Sequence, residues 1–183
     1  MLLFFLNSGL EFSTGLWLYT LLTEARGVQP AEAGVWVSVY WGSLTVGRLV
    51  SGFIVARITV RILIQLCMMT AILGVALLWL NFAPWLSWVG VAMLGMSLAP
   101  MFPSLISLTP ARMGTAHAAN TIGFQIAAAV LGGASLVSAF GLIADRLGLE
   151  TLGPFLLVTA VLMMGVFEML ERQPHMRRIN NSV

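Results

Sequence analysis

Long apolar runs, separated by short clusters of helix breakers and charge, divide the chain into six segments of helical length. With breakers as punctuation they run from Leu2 to Thr23, Glu32 to Ala56, Arg61 to Leu80, Trp85 to Leu108, Ala116 to Ile143 and Gly153 to Glu168. The connections are short: 24–31 with Pro30, 57–60, 81–84, 109–115 with Pro110, and 144–152, with Pro154 opening the last helix. An apolar layer of about 30 Å takes about 20 helical residues to cross. Barrel strands would instead alternate over roughly ten residues. The pattern predicts an all-α membrane protein, one bundle of six transmembrane helices over 1–183, ending in a cytoplasmic tail over 171–183. Short turns make sequential helices antiparallel neighbours.

Composition agrees with the pattern. Of 183 residues, 59% are hydrophobic and 9% charged, and the mean hydropathy is +0.96. That leaves too little polar surface for a water-soluble globule, so the lipid bilayer is the first partner. Met1 runs straight into apolar residues without a basic lead, so no signal peptide is expected. Cys67, the only cysteine, lies inside an apolar run, where packing is its expected role.

The arginines orient the bundle, there being no lysine. With the first helix running outward, Arg57, Arg61, Arg112, Arg172, Arg177 and Arg178 fall inside, while Arg26 and Arg146 fall outside. This places both termini in the cytoplasm and the chain in the cell's inner membrane. Trp17, Trp36, Trp79, Trp85 and Trp88 fall near the outer helix ends, as an aromatic belt requires. The net charge of +2 therefore reports membrane topology, and no nucleic-acid partner is read into it.

Polar residues inside the apolar runs carry the candidate chemistry. Glu11 lies about 15 Å into helix one, and Arg48 about 14 Å from the same face in helix two, at 1.5 Å per residue. A charge at that depth costs at least a few kcal/mol and must find a partner or water. The two form a fastening ion pair, or Glu11 binds a proton or a substrate hydroxyl while Arg48 tunes it or holds an anionic group. Asn7 and Thr14 share the Glu11 face. Helix five carries a stripe of His117, Thr121, Gln125, Ala128, Gly132 and Ser135, in which Gln125 serves either the substrate or helix packing. Tyr40 and Trp41 either stack on a sugar ring or fill the bundle. Pro100 and Pro103 remove ladder hydrogen bonds and should kink helix four.

A weak internal repeat adds an architectural expectation. Helix two ends in Gly52-Phe53-Ile54-Val55-Ala56-Arg57, with Arg61 following, and helix five in Gly141-Leu142-Ile143-Ala144-Asp145-Arg146-Leu147-Gly148. The two glycines stand close to half the chain apart, on turns at opposite faces. A three-helix unit repeated with inverted topology is the build of many secondary transporters.

These turns resemble the loop signature of the major facilitator superfamily: glycine, three residues, aspartate, arginine, any residue, glycine, then basic residues. The second copy keeps Gly141, Asp145, Arg146 and Gly148; the first keeps Gly52, Arg57 and Arg61 but has Ala56 and Thr59 in place of the aspartate and second glycine. The wider pattern is similar to the C-terminal six helices of the fucose-permease-like branch of that superfamily. It comprises Gly9-Leu10-Glu11 with Gly15-Leu16-Trp17, Tyr40-Trp41-Gly42 with Gly47-Arg48, Ala99-Pro100-Met101-Phe102-Pro103, and His117-Ala118-Ala119-Asn120 with Gly123-Phe124-Gln125. The resemblance implies two inverted three-helix repeats forming half of a major facilitator fold. It also implies gating at the two signature turns, a role for Asn120 in the binding site, and a second six-helix half as partner. That half would be a missing N-terminal half, a separate chain or a homodimer mate.

Other chemistries find little footing. His117 and His175 are far apart in sequence, so no metal site is expected, and no P-loop or other cofactor motif occurs. An intramembrane hydrolase would have only Ser8 and His117 to work with, and no nucleophile elbow supports them. The expectation is a secondary active transporter half, not an enzyme, that moves a small polar solute such as a sugar with protons by alternating access. The alternative is a non-transporting six-helix partner or regulatory subunit.

Overall fold

The computed structural model describes residues 1–55 and 57–172; Ala56 and the tail beyond Arg172, with His175, Arg177 and Arg178, lie outside the described residues. Among the described residues the six apolar runs become six helical columns and no strand forms. These are α1 (Leu2–Thr20), prolonged by a π-helical turn (Leu21–Ala25); α2 (Pro30–Ile54); α3 (Val60–Leu80); a broken column of α4 (Pro84–Leu98), α5 (Met101–Ser107) and α6 (Thr109–Met113); α7 (Thr115–Leu147); and α8 (Leu152–Glu171) behind a 3-10 turn (Leu149–Thr151). Val60–Leu80, Pro84–Met113, Ala116–Leu147 and Leu149–Glu171 are long and apolar enough to cross a membrane, and the chain is an all-α membrane protein. α1 and α2 have the length but not the hydropathy. Their interiors hold Asn7, Glu11, Ser13 and Thr14 in one and Ser43, Thr45, Arg48 and Ser51 in the other.

Three expected boundaries move. The run 85–108 is not one helix, because it is interrupted at Ala99 and Pro100 and again at Leu108. The expected loop 109–115 holds α6, since Pro110 at its second position needs no N–H bond there. The expected loop 144–152 is mostly helical: nothing from Ala144 to Leu147 breaks a helix, so α7 continues to Gly148, whose φ of +89° ends it.

Small residues let the helices close up. α1 packs mainly on α7, with α8 and α2 beside it; α2 packs on α4, and α3 on α4 and α8. A Cβ at Gly132 of α7 would collide with the Phe5 backbone of α1, and one at Gly47 of α2 with the Met96 carbonyl of α4. The second contact has a further use. Pro100 has no N–H to offer the carbonyl four residues back, which is that of Met96, and the bare Gly47 backbone covers the carbonyl so left. Between the helices lies a core that includes Leu10, Leu18, Tyr40, Ile64, Met68, Leu94, Leu98, Phe140 and Phe167.

Ion pairs tie both ends of the bundle. At the end formed by the α1–α2 and α7–α8 turns, Arg26 holds Glu150 through two bonds of 2.8 and 2.9 Å and donates a third, 3.0 Å, to the Leu78 carbonyl. At the opposite end Glu171, wholly buried, accepts from Arg112 and lies 3.5 Å from Arg61. Nearby the Gln65 amide bonds Glu168, joining α3 to α8.

Candidate functional site

Helical spacing puts Asn7, Glu11 and Thr14 on one face of α1, and that face turns inward: all three are buried. Gly15, one position beyond Thr14, makes room for α2, because a Cβ there would strike the Trp41 ring. The close approach lets the Tyr40 hydroxyl donate to the Glu11 main-chain carbonyl at 2.8 Å. It also brings Arg48, two turns further along α2, to 3.8 Å from the Glu11 carboxylate.

This ion pair is lopsided. The Glu11 side chain is 11% exposed and the Arg48 side chain 58%. At 3.8 Å the guanidinium is beyond hydrogen-bonding range, so it screens the carboxylate without satisfying it. Its outer side lines a cleft of about 380 Å³ with Ser51, Gly52, Pro103, Ser104 and Ser107. The cleft lies between α2 and the broken column, and Val55 and Val60 place its mouth by the α2–α3 turn. Ser104 and Ser107 of α5, just beyond the break at Pro100, line the same cleft as Arg48, a juxtaposition that spacing alone does not reveal.

The other expected residues distribute differently. Asn7 is fully buried, and among the described residues neither of its amide atoms has a hydrogen-bond partner. Thr14 returns its hydroxyl to the Leu10 carbonyl at 2.8 Å. Tyr40 is fully buried, and Trp41 packs edge-on to it and beside Phe12, so both fill the bundle. Gln125 does not join Glu11. Its amide donates to the Thr109 hydroxyl at 2.9 Å, fastening α7 to α6 beside a second cavity, of about 390 Å³, that also holds Arg112. Asn120 and His117 are exposed on α7, and no hydrogen bond joins His117 to the buried Ser8 among the described residues.

The signature turns likewise separate. Gly52 is exposed with open space around it, and Arg57 is exposed beside it, while Arg61 reaches Glu171. Asp145 and Arg146 are exposed on the last turn of α7, where Gly141 is half-buried under Trp17; Asp145 and Gly148 edge a cleft of about 540 Å³ shared with Glu24. Among the described residues the charges that link elements at the two ends are thus Arg26, Arg61, Arg112, Glu150, Glu168 and Glu171. Sequence reasoning passed over the three carboxylates among them because each acquires its partner only across distant segments, and over Ser51, Ser104 and Ser107 because the cleft they line forms only between elements.

Fold and site together define a helical membrane protein with a buried carboxylate on α1, an exposed guanidinium beside it on α2, and a cleft lined in part by that guanidinium and three serines. No family model matches the sequence, and no curated protein matches it.

Proposed function

We propose that the chain is a six-helix half of a secondary active transporter of major facilitator type, lying in the cell's inner membrane with both termini cytoplasmic. It moves a small polar solute, such as a sugar, together with protons, by alternating access against a second six-helix bundle. The observation that carries this reading is the Glu11–Arg48 pair: a buried carboxylate and a guanidinium 3.8 Å away that is itself open to a 380 Å³ cleft. Intramembrane charges with that disposition serve ion and solute paths. A fastening pair would sit closer and drier.

Helix pairing supports the inverted-repeat architecture. α1 meets α7 as α4 meets α2, α4 meets α3 as α1 meets α8, and α3 meets α8. This set maps onto itself when the first three columns are exchanged with the last three, as two inverted repeats require. The Gly132 contact of α7 on α1 has its counterpart in the Gly47 contact of α2 on α4. In this scheme Gly52, Arg57, Arg61, Gly141, Asp145, Arg146 and Gly148 flank the gates, and the broken column flexes at Pro100.

Uptake by proteoliposomes containing the chain, with and without an imposed pH gradient, tests the proposal. Solute accumulation driven by the gradient and abolished by Glu11→Gln is the expected result. Silence under every gradient, in vesicles where the protein is folded, would leave the non-transporting partner as the better account.

A further inference from the structure

The cleft beside Arg48 is largely apolar, and its few polar groups are the Arg48 guanidinium and the hydroxyls of Ser51, Ser104 and Ser107. Ser51 and Ser107 spend their hydroxyl hydrogens on the main-chain carbonyls of Arg48 and Ser104, at 2.8 Å each. Their oxygens therefore remain as acceptors for a solute's hydroxyl groups. Among the described residues Arg48 is the only charged side chain lining the cleft, and its fork is made for a carboxylate. One guanidinium balances one negative charge; a dianion would leave an uncompensated charge at this depth. A volume of about 380 Å³ is at the small end of ligand pockets.

We propose, resting on the reading of Glu11 and Arg48 given above, that the solute is a small hydroxylated monocarboxylate, held by Arg48 and the serine oxygens of this cleft. Its carboxylate replaces that of Glu11 as the partner of Arg48. Glu11, left without its counter-charge in a buried position, takes one proton from water; no covalent bond of the solute forms or breaks. One anion and one proton thus enter together, and the site's net charge is the same before and after. Among the described residues Glu11 is within ionic reach of Arg48 and its main-chain carbonyl accepts from the Tyr40 hydroxyl, both groups on α2.

The test uses the full chain in detergent or nanodiscs, with D-gluconate, D-glucuronate, D-glucose and inorganic phosphate as probes. At least one of the two sugar acids should bind ten-fold or more tighter than glucose or phosphate. In weakly buffered solution its binding should draw about one proton per site. Arg48→Gln should remove the preference, while Glu11→Gln, which leaves Arg48 without a competitor, should bind the acid at least as tightly and draw no proton. Equal binding of glucose and the acids, tighter binding of phosphate, or failure of both acids overturns the proposal. Because binding is read without flux, its failure is separate from that of the transporter reading. Tight acid binding with silent liposomes would keep the site and remove the transport; proton-driven glucose uptake without acid binding would do the reverse.

Discussion

Two acid–base clusters lie in this bundle and are built to opposite specifications. Glu171 is completely buried, hydrogen-bonded to Arg112 and close to Arg61, at the junction of α3, α6 and α8. Glu11 is also buried, but its cation stands 3.8 Å off, mostly exposed, on the wall of a cleft. A buried carboxylate locked between cations is a structural clamp, since releasing either partner strands a charge in a poor solvent. A buried carboxylate whose cation is exposed and already 3.8 Å away can give that cation up by taking on a proton in its place. The looser pair is the one suited to exchange partners, as the proposed function requires of it.

The sharpest way to break this contrast is to neutralise each carboxylate in turn. Glu171→Gln should be the most damaging, costing about 3–5 kcal/mol because Arg112 and Arg61 stay behind. The midpoint of unfolding in detergent should fall steeply. Gly132→Leu comes next: a side chain driven against the Phe5 backbone forces α1 from α7, an overpacking cost of about 1–3 kcal/mol seen by the same measurement. Arg26→Gln frees the Leu78 carbonyl and Glu150, but Glu150 is half exposed, so about 1 kcal/mol is expected. Glu11→Gln should change stability least, by under about 1 kcal/mol, because its open partner Arg48 is rehydrated. That same substitution should abolish gradient-driven uptake. A Glu11→Gln protein as crippled in folding as Glu171→Gln would erase the distinction between clamp and exchangeable pair.

Much of the architecture is legible along the chain. Six runs stand out between clusters of breakers, and their number survives in the six columns, four of which are long and apolar enough to cross a membrane. Their ends are less legible: Leu147 and Met113 extend helices into expected loops, since helix continues until a residue such as Gly148 or Gly114 stops it. Glu11 and Arg48 could be paired from their depth alone. The choice between packing and lining could not be made for Asn7, Tyr40, Trp41 and Gln125, because it depends on which way each helix is rotated.

What the sequence by itself determined is the class of molecule and the whereabouts of its costly charges, since hydropathy and helical rise act locally. Which charges meet, and how openly, was decided only by tertiary structure. Glycine contacts such as Gly132 on Phe5 and Gly47 on Met96 set how near the helices come, and the placement of α5 brings Ser104 and Ser107 to the cleft that Arg48 lines. A helix's neighbours and rotation follow from the packing of the whole bundle, and that sum cannot be read one residue at a time.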